Sequence, residues 1–137
     1  MVLVDTPIWS LSLRRRAVDL SLIERGLTRV LYDLIQRSEV QLLGAIRQEV
    51  LSGIREESQF QRIRDHLRGF VNVPLDSMDY EEAARVTNQC RQQGIADSTA
   101  DMLLCAVSLR QGWEILTTDR DFLHYAQVLP LRLFSTP

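Results

Sequence analysis

The stretch VLVDTPIW sets three apolar residues, Val2, Leu3 and Val4, directly before Asp5. A short apolar run reads as a buried strand, and a carboxylate at its end is costly unless it is paired or holds a metal. EILTTD repeats the arrangement late in the chain, with Ile115 and Leu116 just ahead of Asp119. Two further acids border apolar elements: Glu49 in GAIRQEVLSGI and Asp101 before MLLCAV. If the fold gathers Asp5, Glu49, Asp101 and Asp119 into one cleft, the like charges raise one another's pKa. A hard divalent cation, Mg2+ or Mn2+, relieves that repulsion, because such ions take carboxylate and water oxygens. No histidine or cysteine stands at these four positions, which argues against zinc.

Each acid also has a purely structural role open to it. Asp5 suits a turn after a strand, and Asp119 the N-cap of a helix RDFLHYAQ. Ser98 with Asp101 makes S-x-x-D, a capping-box pattern. Glu49 suits a solvated helix face. The pattern by itself leaves the structural and the metal-binding readings both open.

The elements that must position these residues alternate. Apolar runs at 2–4, 40–44 (VQLLG), 71–75 (VNVPL), 114–119 and 131–134 (LRLF) read as strands. Between them, helical spacing marks a helix opening at TPIW, with Thr6 as its N-cap and Pro7 at the first position. Further helices fall at about 20–37, 45–57, 59–69, 80–94, 98–112 and 120–127, with Gly94 and Gly112 as stops. This order predicts an α/β fold with a mostly parallel central sheet. In such sheets ligands bind beyond the carboxyl ends of the strands, where Asp5 and Asp119 fall.

With 137 residues, 45% of them hydrophobic, the chain suits a single domain over 1–137 with one core. A net charge of −2 is unlike the basic balance of many nucleic-acid binders. All 16 positive residues are arginine, however, and arginine suits phosphate recognition. Cys90 and Cys105 lie in helical stretches without metal-ligand spacing, as in reduced cytosolic proteins. His66 and His124 read as surface residues of late helices, and Trp9 and Trp113 as core residues rather than base-stacking ones. No run approaches the roughly 20 apolar residues of a membrane span, and the N-terminus lacks signal-peptide regions. The expected location is the cytoplasm, with no membrane partner.

The chain resembles PIN-domain proteins, and among them the VapC-type toxins of VapBC toxin–antitoxin pairs. The resemblance rests on VLVDTPIW, IRQEVLSG and STADMLLCAVSLRQGWEILTTDRDF, in that order and at these spacings. It implies a three-layer α/β/α fold with a central sheet of four to five strands. It further implies a Mg2+- or Mn2+-dependent endoribonuclease, cutting tRNA or another structured RNA and neutralised by a cognate antitoxin. A homodimer is also implied. Asp5, Glu49, Asp101 and Asp119 would be its catalytic and metal-binding residues. Pro7 departs from the family's usual serine, leaving Thr6 to supply the hydroxyl. The T-x-D pattern with Thr117 favours Asp119 over Asp121 as the fourth ligand, with Asp121 supporting it and Asp97 peripheral. Arg14, Arg15 and Arg16, the one basic run, and Arg120 are candidates for RNA or antitoxin contact, with a solvated helix face the alternative for the run.

Two other readings fit an α/β chain with acids at strand ends. One is a metal-dependent phosphohydrolase of another type, although the HAD-like D-x-D is absent here and so is the lysine that a receiver domain uses. The other is a non-catalytic PIN-like RNA-binding module. Four retained acids favour an enzyme.

Overall fold

In the computed structural model, described over residues 1–135, a parallel sheet forms around β1 (Val2–Val4). β2 (Val40–Gln41) pairs along one side of β1 and β3 (Glu114–Leu116) along the other, giving the order β2-β1-β3. Val2 stands opposite Val40 and Glu114, and Leu3 opposite Ile115. All three residues of β1 are buried. A strand covered on both faces needs an unbroken apolar run rather than an alternating one, and VLV supplies it.

The helices α1 (Thr6–Leu13) and α2 (Leu22–Gln36), with a short 3-10 turn at Ala17–Asp19, join β1 to β2. From β2 the chain runs through α3 (Gly44–Leu51), α4 (Glu57–Leu67), α5 (Ser77–Gln92) and α6 (Thr99–Gln111) to β3, and α7 (Asp121–Val128) follows. Parallel crossovers are right-handed. The first crossover leaves β1 toward one edge and the second returns past β1 to the other, so helices cover both faces. Accordingly α1 packs on α2 and α3, while α5 packs on α6 and α7. This is the expected three-layer α/β/α arrangement. α6 lies deep in it, with every residue from Asp101 to Ser108 buried.

The sheet has three strands among the described residues, not four to five. VNVPL contributes one bridge, Asn72 to Leu42, and the Val73 amide donates to the Leu42 carbonyl at 2.9 Å. Pro74 follows without an N–H to continue the ladder. LRLF likewise contributes one bridge, Leu133 to Ile115.

Helix limits also differ from expectation. Asp5, not Thr6, caps α1. α3 stops at Leu51 instead of running on to 57, since Gly53 turns the chain at a φ of 85°. α5 starts earlier, at Ser77, through a capping box in which Asp76 and Asp79 bond each other's backbone amides. α5 and α6 end at the glycines expected.

Cys90 and Cys105 are buried and unlinked, and both histidines are exposed. Trp9 is buried, edge-on to Phe70, and Trp113 packs against the core. No described helix is long and apolar enough to cross a membrane.

Candidate active site

Strand order reverses at β1, and an open parallel sheet forms its ligand crevice at the carboxyl ends around such a switch point. Asp5 leaves β1 there and Thr117 leaves β3 beside it, with the Asp5 amide donating to the Leu116 carbonyl at 3.0 Å. The Trp9 indole donates to the Val4 carbonyl at 3.1 Å, which fixes the backbone just ahead of the acid.

Asp5 is 3% exposed. Its two oxygens accept from separate elements: Oδ1 from the Thr6 amide and Oδ2 from the Thr117 hydroxyl, both at 2.8 Å. The Thr6 hydroxyl in turn donates to Glu49 Oε2 at 2.7 Å, which draws α3 to α1. On the other side the Asp119 amide donates to Thr117 Oγ1 at 3.0 Å, and the Asp121 amide to Asp119 Oδ1 at 2.9 Å. One hydrogen-bonded path therefore runs Glu49–Thr6–Asp5–Thr117–Asp119–Asp121. Burial raises the Asp5 carboxyl to about 6; the bonds from Thr117 and Thr6 oppose the rise, and the charges of Asp101 and Glu49 add to it.

Asp101 enters from the first turn of α6. Its amide donates to Ser98 Oγ at 3.2 Å, as the S-x-x-D pattern indicates. Its Oδ2 accepts from the buried Tyr125 hydroxyl at 2.8 Å. Burial raises its pKa above the ordinary carboxylate value against the Tyr125 bond, with help from Asp119 and Glu49. One carboxylate oxygen each from Asp101, Asp119 and Asp121 lie within 4.8 Å of one another. Asp119 and Asp121 thus stand together rather than as alternatives. Asp119 is not the N-cap of α7, which is Arg120; from one residue ahead of the cap it receives the Asp121 amide.

The remaining candidates are not among these three acids. Asp97 pairs with Arg91 at 2.9 Å in the turn before α6. Arg14, Arg15 and Arg16 follow the far end of α1, about 12 Å of helix from Asp5 at 1.5 Å per residue. Arg15 is paired with Glu24 at 3.1 Å. Arg120 is exposed between Asp119 and Asp121.

Two supporting residues escaped the sequence reading. Tyr125 sends a hydrogen bond from α7 to Asp101, and its one advance signal is a tyrosine placed one turn after Asp121. Arg47 bonds Asn72 Oδ1 at 2.8 Å and the Leu67 carbonyl at 2.9 Å, anchoring the helix that carries Glu49. Nothing in the sequence marks it out from the other arginines.

The donor set suits a hard divalent cation: oxygen atoms only, anionic, and close enough to share one ion. Burial, with a smaller part from neighbouring acids, raises the Asp5 and Asp101 carboxyl groups, and a bound cation would favour their ionised forms against both.

Comparison with known proteins agrees with this geometry. A family model described as PIN domain matches residues 2–128. Ribonuclease VapC11 of Mycobacterium tuberculosis is 25% identical over 137 residues, covering 98% of each chain. Among solved structures, FitAcB from Neisseria gonorrhoeae superposes with a TM-score of 0.76 at 18% identity, covering 98% of this chain and 97% of that one. VapBC-5 from Mycobacterium tuberculosis, a member of the VapBC family of toxin-antitoxin systems, gives 0.67 at 12% identity, covering 98% and 97%.

Proposed function

The chain belongs to the PIN-domain family, and on that footing we propose that it is a Mg2+- or Mn2+-dependent endoribonuclease of the VapC toxin type. It would act in the cytoplasm as one PIN-like domain within a homodimer, cut tRNA or another structured RNA, and be held inactive by a cognate antitoxin. The observation that carries this reading is the cluster of Asp101, Asp119 and Asp121 oxygens beside a buried, hydroxyl-held Asp5. Support for the nuclease class comes from a curated relative named as a ribonuclease that aligns along nearly the whole chain.

Asp101, Asp119 and Asp121 would hold the ion, with Asp5 and Glu49 completing the acidic rim. When bound, Mg2+ or Mn2+ acts as a Lewis acid on a phosphoryl oxygen and lowers the pKa of water. The residues of the chain do the rest. Thr117 and Thr6 fix both oxygens of Asp5, and Tyr125 fixes one of Asp101, so the carboxylates would meet the cation with no rearrangement. Glu49 is exposed at the rim and already accepts a proton-bearing hydroxyl from Thr6, which suits it to take the proton of an attacking water.

Purified protein should cut structured RNA with Mn2+ and stop in EDTA. Asp119→Asn and Asp101→Asn should each lower the rate by at least about a hundredfold. Cleavage that persists in EDTA would overturn the reading.

A further inference from the structure

Next to the acidic cluster lies a cleft of about 240 Å³. Its walls are Gly94, Ile95 and Ala96 from the connection between α5 and α6, and Asp121, His124 and Tyr125 from α7. Asp121 belongs to both the cleft and the cluster, so whatever fills the cleft sits one residue away from the place where a phosphate would be cut. We propose that the cleft takes one nucleobase of the RNA, flanking the scissile phosphate, and prefers bases that carry an exocyclic amino group over uracil. The proposal rests on the nuclease reading above.

Size is the first reason. The cleft falls short of the roughly 300 Å³ at which sites for larger ligands begin, which suits a single ring. Charge is the second. The wall holds a carboxylate and no arginine, so a phosphate would be repelled while a neutral group with N–H donors would be matched. Acidic side chains accept from the N4 amino group of cytosine. At the same C4 position uracil presents a carbonyl oxygen, which would face the Asp121 carboxylate without a proton between them. One Asp121 oxygen suffices to join the cluster, and the carboxylate has a second for the cleft.

Stacking is the third reason. His124 is exposed on α7 and offers an imidazole plane at the cleft wall, and unstacked RNA bases pack on such rings. Tyr125 also lines the cleft, with its hydroxyl held by Asp101. The cleft and the acid site thus share α7, through Asp121.

The test measures binding rather than cleavage. Fluorescence anisotropy of short oligocytidylate and oligouridylate on the full chain, in Ca2+, compares bases that differ at one ring edge in amino donor against carbonyl acceptor. Wild type should bind oligocytidylate about tenfold more tightly, the scale of one good base contact. His124→Ala, and Ala96→Leu, which fills the cleft, should each bring the two affinities together. Thermal melts establish that both variants fold. No binding, equal binding, a preference for oligouridylate, or a preference that neither variant alters would overturn the proposal. Cleavage of structured RNA in Mn2+ is scored separately. A protein that cuts but shows no preference loses the base cleft alone; one that shows the preference but never cuts loses the nuclease reading and keeps the cleft.

Discussion

Thr117 donates its hydroxyl hydrogen to Asp5 Oδ2 at 2.8 Å, joining residues 112 positions apart. The bond favours the ionised form of a carboxylate that burial would otherwise keep protonated. Thr117→Val keeps the shape and removes the donor. The variant should lose about 1–3 kcal/mol at pH 7.5, the cost of an unmet bond to a buried charge. At pH 5, where Asp5 is protonated, the loss should be smaller. Urea unfolding at the two pH values in EDTA measures both, and an equal loss at both would show that the bond does not act through the charge.

Asp5→Asn separates a metal site from an ordinary cap. Asparagine caps a helix about as well as aspartate and carries no charge. The metal-free variant should therefore be at least as stable as wild type at pH 7.5. With Mn2+ at a hundredfold excess over Kd, wild type should gain about 2.7 kcal/mol, and the variant much less. Melting curves across a Mn2+ titration decide this, and equal gains would remove Asp5 from the metal site.

The metal-free protein should become more stable as pH falls from 7.5 toward 5. Asp5 has a folded pKa of about 6 against an ordinary 3.8, so the folded state binds its proton more readily than the unfolded state. The linked stability is complete below about pH 4 and is lost as pH rises through 6. Its size is about 3 kcal/mol at 1.36 kcal/mol per pH unit. Asp101, also raised, acts in the same direction. Glu24 and Asp76 are lowered by the backbone bonds of their capping boxes, so their contribution is lost only under more acidic conditions. Thermal melts in EDTA should show the rise, and in Asp5→Asn it should shrink.

Tyr125→Phe keeps the edge-on ring contact with Phe122 at 5.1 Å and removes the donor to Asp101. Partners that orient a ligand in this way are worth about 10–100-fold in metal affinity. Calorimetric Mn2+ titration should show a weakening in that range, with the fold intact by circular dichroism. Unchanged affinity would make Tyr125 a packing residue only.

Much of this site is legible in the sequence because burial writes itself into local order. VLV before Asp5 and the IL of EIL before Thr117 are unbroken apolar runs, as a strand covered on both sides requires. The two strands then bring their following residues to one end of the sheet. Strand count was less legible: VNVPL has strand composition, yet its fate depends on what lies beside it, and Pro74 ends the pairing after one bridge. The cap of α1 was misplaced by one residue because Asp5 serves as strand end, cap and site acid at once. Tyr125 and Asp101 meet through packing of α7 against the body of the fold, and no spacing rule connects residues on two separate helices.

The placement of β1 between β2 and β3 has a consequence for synthesis on the ribosome. β1 is made well before β3, the strand it needs for a partner, with Leu3 waiting for Ile115. A nascent chain that ends before Thr117 holds Asp5 and Glu49 but lacks Asp119, Asp121 and the strand that would fix them in place. Parallel pairing over such a separation is slow to form. A chain that has not yet reached β3 therefore cannot bring the acids of the candidate site together.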